Sequence, residues 1–159
     1  MRIRAFTLIE LLVTIAIVGV LAALVLVAIN PARRLAQARD SGRKSDIGAI
    51  ATALQAYFTS NNGSYPTALQ GLAQLVVSQD LKNNPNPPNP EAAPGTIPAG
   101  IDTVYEYSVS PGGCNGTAPP CAESTVWEIL EAPVVAGTPL WCFRTVTGTA
   151  IEALACTAP

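Results

Sequence analysis

A single carboxylate interrupts the most apolar stretch of this chain. Between Phe6 and Ile29 the only charged side chain is Glu10, and Arg2 and Arg4 precede the stretch. At a rise of ~1.5 Å per residue, a helix over this range is ~36 Å long, which exceeds the ~30 Å hydrocarbon core of a bilayer. The stretch therefore predicts a membrane-spanning helix. Because a carboxylate costs about 2.5–3.5 kcal/mol at the centre of such a helix, and less near an end, Glu10 indicates a function or a partner.

Composition leaves room for only one further domain. The 159 residues are 49% hydrophobic and 13% charged, which suits one spanning helix and a domain of roughly 100 residues. Beyond residue 45 the only cations are Lys82 and Arg144. The outer domain is therefore acidic, and we do not expect a nucleic-acid interface on its body.

A cluster of basic residues follows the apolar stretch. Since cations flank that stretch on both sides, charge alone leaves its orientation in the membrane open. We interpret the cluster as a solvated helix face near the membrane, partly paired with Asp40, with Asp46 and with the acidic domains of neighbouring copies. Binding to anionic lipid headgroups or to DNA are the alternatives. The cluster consists of Arg33, Arg34, Arg39, Arg43 and Lys44.

Four cysteines lie in the last third of the chain, which contains no histidine. An even number of cysteines in a domain expected to be exported predicts two disulfides, for which three pairings are possible. We prefer Cys114 with Cys121 and Cys142 with Cys156, because each pair closes a short loop rich in turn residues. A zinc site is the alternative, but the spacings match no Cys-x-x-Cys pattern.

The remaining pattern predicts an α+β fold. Residues 32–57 are amphipathic at helical spacing, and Asn30-Pro31 predicts an interruption and a bend before them. Strands are expected at about 103–110, 124–131, 140–146 and 150–155, which indicates an antiparallel sheet of about four strands with a helix on its apolar face. The helix face that we expect to cover the sheet carries Ile47, Ile50 and Leu54.

Two Asn-Gly dipeptides stand outside these elements. Asn62-Gly63-Ser64 and Asn115-Gly116-Thr117 match the glycosylation sequon. Asn-Gly is also a favoured turn dipeptide, and we interpret both segments as turns.

Residues 5–13 carry the sequence AFTLIELLV, which resembles the processing and methylation segment of type IV prepilins and pseudopilins. The resemblance implies that a prepilin peptidase cuts between Ala5 and Phe6 and that the new amino terminus at Phe6 is methylated. The family usually has Gly before the cut, where this chain has another small residue. The implied fold is the pilin fold, in which a long amino-terminal helical spine packs against a small antiparallel sheet.

The resemblance also implies a division of the chain into four parts. These are a leader peptide (1–5), a transmembrane and filament-core helix (6–29), an amphipathic continuation of the spine (30–62) and a globular α+β head (63–159) with a Pro/Asn-rich loop (83–100). The implied precursor crosses the cytoplasmic (inner) membrane once, and the implied filament is extracellular or periplasmic.

The implied function is that of a structural subunit of a type IV pilus or pilus-like filament. The subunit polymerises through its amino-terminal helix into a helical homo-oligomer. Besides other copies of itself and the membrane, the implied partners are the prepilin peptidase and an inner-membrane assembly platform with its ATPase. Nucleic acid is not an expected partner.

Particular residues receive assembly roles from the resemblance. In the family, the acid that matches Glu10 is thought to neutralise the amino terminus of a neighbouring subunit, because opposite charges attract strongly at low dielectric. Gly19 and Ala23 form a small-x-x-x-small pair that lets helices approach closely. Pro31 bends the spine, and a Cys142–Cys156 bridge would resemble the disulfide loop near the carboxyl end of many pilins.

Two alternative functions stay open. One is a major or minor pseudopilin of a type II secretion system, and the other is a membrane-anchored extracytoplasmic binding domain that does not polymerise. Major pseudopilins bind calcium through a carboxyl-terminal loop, whereas this chain has only Glu152 and no Asp after Arg144. This departure disfavours a pseudopilin, and we expect no metal or other cofactor. No nucleophile–base pair or phosphate-binding loop is visible, so we expect no enzymatic activity.

Overall fold

The computed structural model of the chain describes residues 6–88 and 105–156. These residues belong to two compact units, Met1–Leu35 and Ala36–Pro159. The expected cleavage site after Ala5, the leader 1–5, and residues 89–100 of the expected Pro/Asn-rich loop lie outside the described residues. So do residues 103 and 104 of the first expected strand.

The first unit contains one apolar helix, α1 (Leu8–Ile29), whose ends have clear local causes. Thr7 caps the amino end, and its hydroxyl accepts a hydrogen bond from the Glu10 N–H at 3.3 Å. Asn30 ends the helix in the left-handed conformation, at φ 46°. None of the residues of α1 is buried.

A second helix, α2 (Pro31–Ser60), begins immediately after this break, so the expected spine is two helical segments rather than one continuous helix. Pro31 suits the first position of a helix because no N–H is needed there. The Asn30 side chain accepts a hydrogen bond from the Arg33 N–H at 3.3 Å, which caps the new helix. The sequence predicts an interruption at Asn30-Pro31, and the structure has it there: Asn30 ends α1 and Pro31 begins α2.

The second unit is built on the larger part of α2 and an antiparallel sheet. The strands are β1 (Glu106–Ser110), β2 (Glu123–Ile129), β3 (Leu140–Arg144) and β4 (Thr149–Ala153), in the order β1-β2-β3-β4. A short helix, α3 (Ala73–Val77), lies between α2 and the sheet in sequence. The prediction of an α+β fold with about four antiparallel strands is confirmed.

The core of the second unit lies between α2 and one face of the sheet. The predicted apolar helix face is buried, with Ile47, Ile50 and Leu54 fully enclosed. Val126 of β2 and Phe143 of β3 are directly paired across the sheet and belong to the same core. Full burial of such side chains stabilises the fold by about 1.5–3 kcal/mol each, so this helix face holds the second unit together.

Two disulfides close loops in the second unit, one between the first two strands and one that joins β3 to the segment after β4. Cys114 pairs with Cys121 within the β1–β2 connection, and their Cα atoms are 5.2 Å apart. Cys142 in β3 pairs with Cys156 beyond β4, and their Cα atoms are 5.8 Å apart. With all four cysteines bonded, no thiolate is left for the zinc site considered as an alternative.

Candidate functional site

Helix α1 presents apolar side chains on every side. By its length and composition it could cross a membrane, and no other helix among the described residues could. Most of its large aliphatic side chains, such as Leu8 and Leu24, are more than half exposed. Surface of this kind is stable only against lipid or against other apolar helices. The first unit is therefore suited to anchoring and to helix–helix association.

The Glu10 carboxylate lies on the first turn of α1. Within the described residues its contact is with the Thr7 hydroxyl, which donates to Oε2 at 3.4 Å. The amino end of a helix favours an anion, because the unpaired N–H groups give it a partial positive charge. These interactions orient the carboxylate and leave acceptor capacity for a cation from another molecule.

The small residues of α1 lie on an uncovered surface. Gly19 and Ala23 are four residues apart and so share one helix face. A Cβ added to Gly19 would meet no atom within 4 Å. No described residue of the first unit covers this face, which leaves it accessible for close approach by another helix.

The basic cluster after α1 differs from the prediction. The expected pairing with Asp40 is present at Arg43. The expected solvation is wrong for Arg43, which is buried, whereas Arg39 and Lys44 are partly exposed and Arg33 and Arg34 are exposed. Arg43 is only 2% exposed. Arg39 and Arg43 pair with Glu131 in the connection between β2 and β3, Arg43 also pairs with Asp40 on α2, and Lys44 pairs with Glu152 on β4.

Arg43 is the centre of a buried ion-pair network. One guanidinium nitrogen lies 2.7 Å from Asp40 Oδ1, and the other lies 2.7 Å from Glu131 Oε1. The second nitrogen also donates to the Pro88 carbonyl at 2.8 Å. Arg39 Nε donates to both Glu131 oxygens at 3.0 Å. Each buried charge is thus paired, which offsets the cost of removing it from water.

Asp40 also binds the backbone of the β2–β3 loop, residues 130–139. Its Oδ1 accepts from the Glu131 N–H at 2.9 Å and its Oδ2 from the Ala132 N–H at 2.7 Å. Asp40 is 4% exposed. A single buried carboxylate therefore joins a guanidinium on α2 to two amides of the loop.

A second ion pair, between Lys44 and Glu152, is also bonded to the β2–β3 loop. Lys44 Nζ lies 2.8 Å from Glu152 Oε1 on β4 and 4.4 Å from the centre of the Trp141 ring. Glu152 Oε2 accepts from the N–H groups of Val134 and Val135, each at 2.9 Å. The two sets of contacts fasten the β2–β3 loop to α2 and to β4. We call them together the loop anchor: Arg39, Asp40, Arg43, Lys44, Glu131 and Glu152.

The loop anchor lowers the pKa of two of its carboxyl groups, those of Glu131 and Glu152. Burial raises the pKa of Glu131, but the hydrogen bonds and charges of Arg39 and Arg43 outweigh it and bring the pKa below its ordinary value. The hydrogen bond from Lys44, followed by that from the Val135 N–H, lowers the pKa of Glu152. Both acids therefore stay ionised at neutral pH.

The described residues bring together no group of three or more His, Cys, Asp or Glu side chains that could hold a metal ion.

The structure places most of the processing and assembly residues predicted from the sequence. Ala5 lies outside the described residues and Phe6 is exposed. Glu10, Gly19 and Ala23 lie on α1, and Pro31 begins α2. Sequence reasoning missed Glu131 and Glu152, whose partners on α2 are about ninety residues or more away in the chain.

Comparison with known proteins gives two family matches and one curated relative. Residues 1–26 match the family described as prokaryotic N-terminal methylation motif. Residues 30–112 match the family described as type II secretion system (T2SS), protein G. The relative is the type II secretion system core protein G of Pseudomonas aeruginosa, which is 44% identical over 84 residues.

That alignment covers 53% of this chain and 56% of the relative. The chain thus spans about half the length of the curated relative that it matches. No solved structure matches the chain significantly.

Proposed function

Because this chain belongs to the type II secretion system protein G family, we propose that it is a pseudopilin, the subunit of a short filament that serves protein export. The proposal rests on one observation: the family match over residues 30–112 follows directly on a methylation motif over residues 1–26. The sequence alone favours a type IV pilus subunit, with a pseudopilin as an alternative. The family match favours the second of these and supports the first only at the level of the wider pilin family.

The motif and the apolar helix fit a precursor anchored in the inner membrane that later enters a periplasmic or extracellular filament. In the proposed maturation, a prepilin peptidase cuts between Ala5 and Phe6 and methylates the Phe6 amine. A methylated amine keeps its positive charge, so the mature chain starts with a cation close to an apolar helix. Other proposed partners are an inner-membrane assembly platform and its ATPase.

The proposed assembly step pairs two charges from different copies. Glu10 bears a carboxylate on the first turn of an apolar helix, and each mature amino terminus bears a cation. Either charge alone is costly at low dielectric, whereas the pair is mutually stabilising. Pairing of Glu10 with the amino terminus of a neighbouring copy sets the axial register between helices, and the face with Gly19 and Ala23 permits their close approach.

The second unit has a supporting role in this proposal. Its core and loop anchor are contained in one copy, since all the ion pairs described above form within the chain. A subunit of this kind brings a preformed outer wall to the filament and leaves α1 as the polymerising element. We assign no catalytic step to it.

The test is genetic and biochemical. In a strain that lacks the gene, the wild-type chain is expected to restore export of type II secretion substrates, and Glu10→Gln is expected to stay in the membrane but fail to restore it. Thr14→Val is the matched control, because it changes another polar side chain of α1 and keeps the Glu10 carboxylate. Mass spectrometry of the mature chain is expected to show a methylated Phe6 as first residue.

Three results separate the alternatives. Normal export without the chain, together with loss of surface pili, would replace the pseudopilin by a pilus subunit. Normal export and normal pili, with a chain that never enters a sheared or crosslinked filament fraction, would favour a membrane-anchored binding domain. Full export by Glu10→Gln would overturn the proposed charge pairing while leaving the pseudopilin assignment intact.

A further inference from the structure

Two Asn-Gly turns to which the proposed function gives no role meet at one cavity of the second unit. Asn62 and Gly63 follow the end of α2 with positive φ angles of 54° and 75°. Asn115 and Gly116 lie inside the loop that the first disulfide closes. Both turns line a solvent-accessible cavity of about 290 Å³. This volume is close to the lower end of the range of about 300–1,000 Å³ for small-molecule sites.

The wall formed by the second turn is held in place by its own hydrogen bonds. The Asn115 side-chain oxygen accepts from the Thr117 N–H at 3.0 Å and from the Thr117 hydroxyl at 3.1 Å. The Tyr65 N–H donates to the Cys121 carbonyl at 2.8 Å, which ties the disulfide loop to the segment after α2. A site that is already ordered loses little entropy when a ligand binds.

The cavity wall offers hydrogen-bonding groups and no charge. The residues that line it are Tyr, Ser, Asn, Gln, Gly and Thr. Tyr57 and Tyr65 are each 7% exposed. Within the described residues neither phenol hydroxyl has a hydrogen-bond partner. Neither hydroxyl belongs to the buried polar atoms that lack a partner, so both are open to solvent. Two buried rings therefore leave their polar ends accessible to a ligand.

Two side-chain carboxamides in the cavity wall provide further hydrogen-bond donors. Gln70 uses its oxygen to accept from the Thr67 N–H at 2.9 Å, and Asn115 uses its oxygen within its own turn. Their NH₂ groups have no hydrogen-bond partner within the described residues. The cavity thus presents phenol groups that donate and accept and amides that donate, without a counter-charge for an ionised ligand.

We propose that this cavity binds one neutral hexopyranose unit, as a free sugar or as the end residue of a glycan. Sugar hydroxyls donate and accept hydrogen bonds at several adjacent positions, which matches a wall of phenol and carboxamide groups. An ionised ligand would lose its hydration without a compensating charge from the wall. The inference does not depend on the proposed role in secretion, because the cavity lies wholly within the second unit.

The first test measures binding directly. The full chain, held in lipid nanodiscs free of sugar-headed detergent, is titrated with glucose, N-acetylglucosamine, glucuronate and glycerol while amide and aromatic NMR signals are recorded. A neutral hexose is expected to bind with a dissociation constant on the order of 1 mM, because few groups contact it. Its shifts should concentrate at Gln70 and Asn115. Glucuronate is expected to bind no more tightly than glucose, and glycerol more weakly.

The second test removes single hydroxyl groups. Tyr57→Phe and Tyr65→Phe keep the buried rings and are expected to weaken hexose binding between about two- and tenfold each. Tyr105→Phe is the matched control, because its hydroxyl donates to Asp46 at 2.6 Å and lies outside the cavity lining. Absence of saturable shifts with both hexoses, or equal affinities in all three variants, would overturn the proposal. Preferential binding of glucuronate would overturn the neutral class.

Discussion

Removal of the Asp40 carboxylate is expected to destabilise the second unit strongly. In Asp40→Ala, the Arg43 guanidinium loses one of its two ionic partners, and the N–H groups of Glu131 and Ala132 lose their acceptors. Removing one member of a buried ion pair costs about 3–5 kcal/mol. Glu131 and the Pro88 carbonyl still bind Arg43, so we expect a loss near the lower end of this range, about 3 kcal/mol.

Denaturant unfolding of the full chain in nanodiscs measures this loss. Both tryptophans, Trp127 and Trp141, lie in strands of the sheet. Their fluorescence therefore reports unfolding of the second unit and is insensitive to α1. For a unit of this size, a loss of about 3 kcal/mol corresponds to a fall in Tm of roughly 10–15 °C.

The matched control is Glu106→Ala, which removes an exposed carboxylate from an edge strand. We expect it to change the free energy of unfolding by less than about 0.5 kcal/mol. If Asp40→Ala cost no more than this control, the buried ion pairs would not stabilise the loop, and the reasoning from burial and pairing would be refuted.

Three further predictions follow from the anchor and from α1. Because folding lowers the pKa of Glu131, its ionised carboxylate contributes to the free energy of unfolding fully above about pH 5, and this contribution is lost as pH falls through the folded pKa. Denaturant unfolding at several pH values should show the loss. An equally steep loss of stability in Glu131→Gln would contradict it. Glu152→Gln is expected to speed hydrogen exchange at Val134 and Val135, and unchanged protection would show that the carboxylate does not hold the loop. Gly19→Leu is expected to leave the chain in the membrane but reduce crosslinked filament several-fold, and wild-type levels would remove that face from the interface.

Local patterns predicted most of the fold because their causes are local. The apolar run of α1 follows from composition alone, and the buried face with Ile47, Ile50 and Leu54 follows from helical spacing. Strand alternation located β2 and β3 to within two residues at each end. The break before α2 was expected at Asn30-Pro31, but the sequence pattern could not show that Asn30 both ends one helix and caps the next.

The loop anchor could not be predicted in the same way. Asp40 and Arg43 are three residues apart on one helix, which suggested an ordinary surface pair. Their burial depends on Glu131 and on the loop amides, which only the return of the chain after β2 brings to α2. For the same reason the basic cluster was expected to be solvated, when part of it is enclosed.

By itself, the sequence determined that this chain has a helix that must be covered by lipid or by like helices, with one acid on it, and that an α+β unit follows. Those properties depend on the order of neighbouring residues and on the cost of exposing apolar surface. Tertiary structure alone decided which charges of α2 are buried and which turns share a cavity. The ion pairs of Glu131 and Glu152 with α2 join residues about ninety or more positions apart in the chain, and a local sequence pattern cannot show that folding of the sheet brings them into contact.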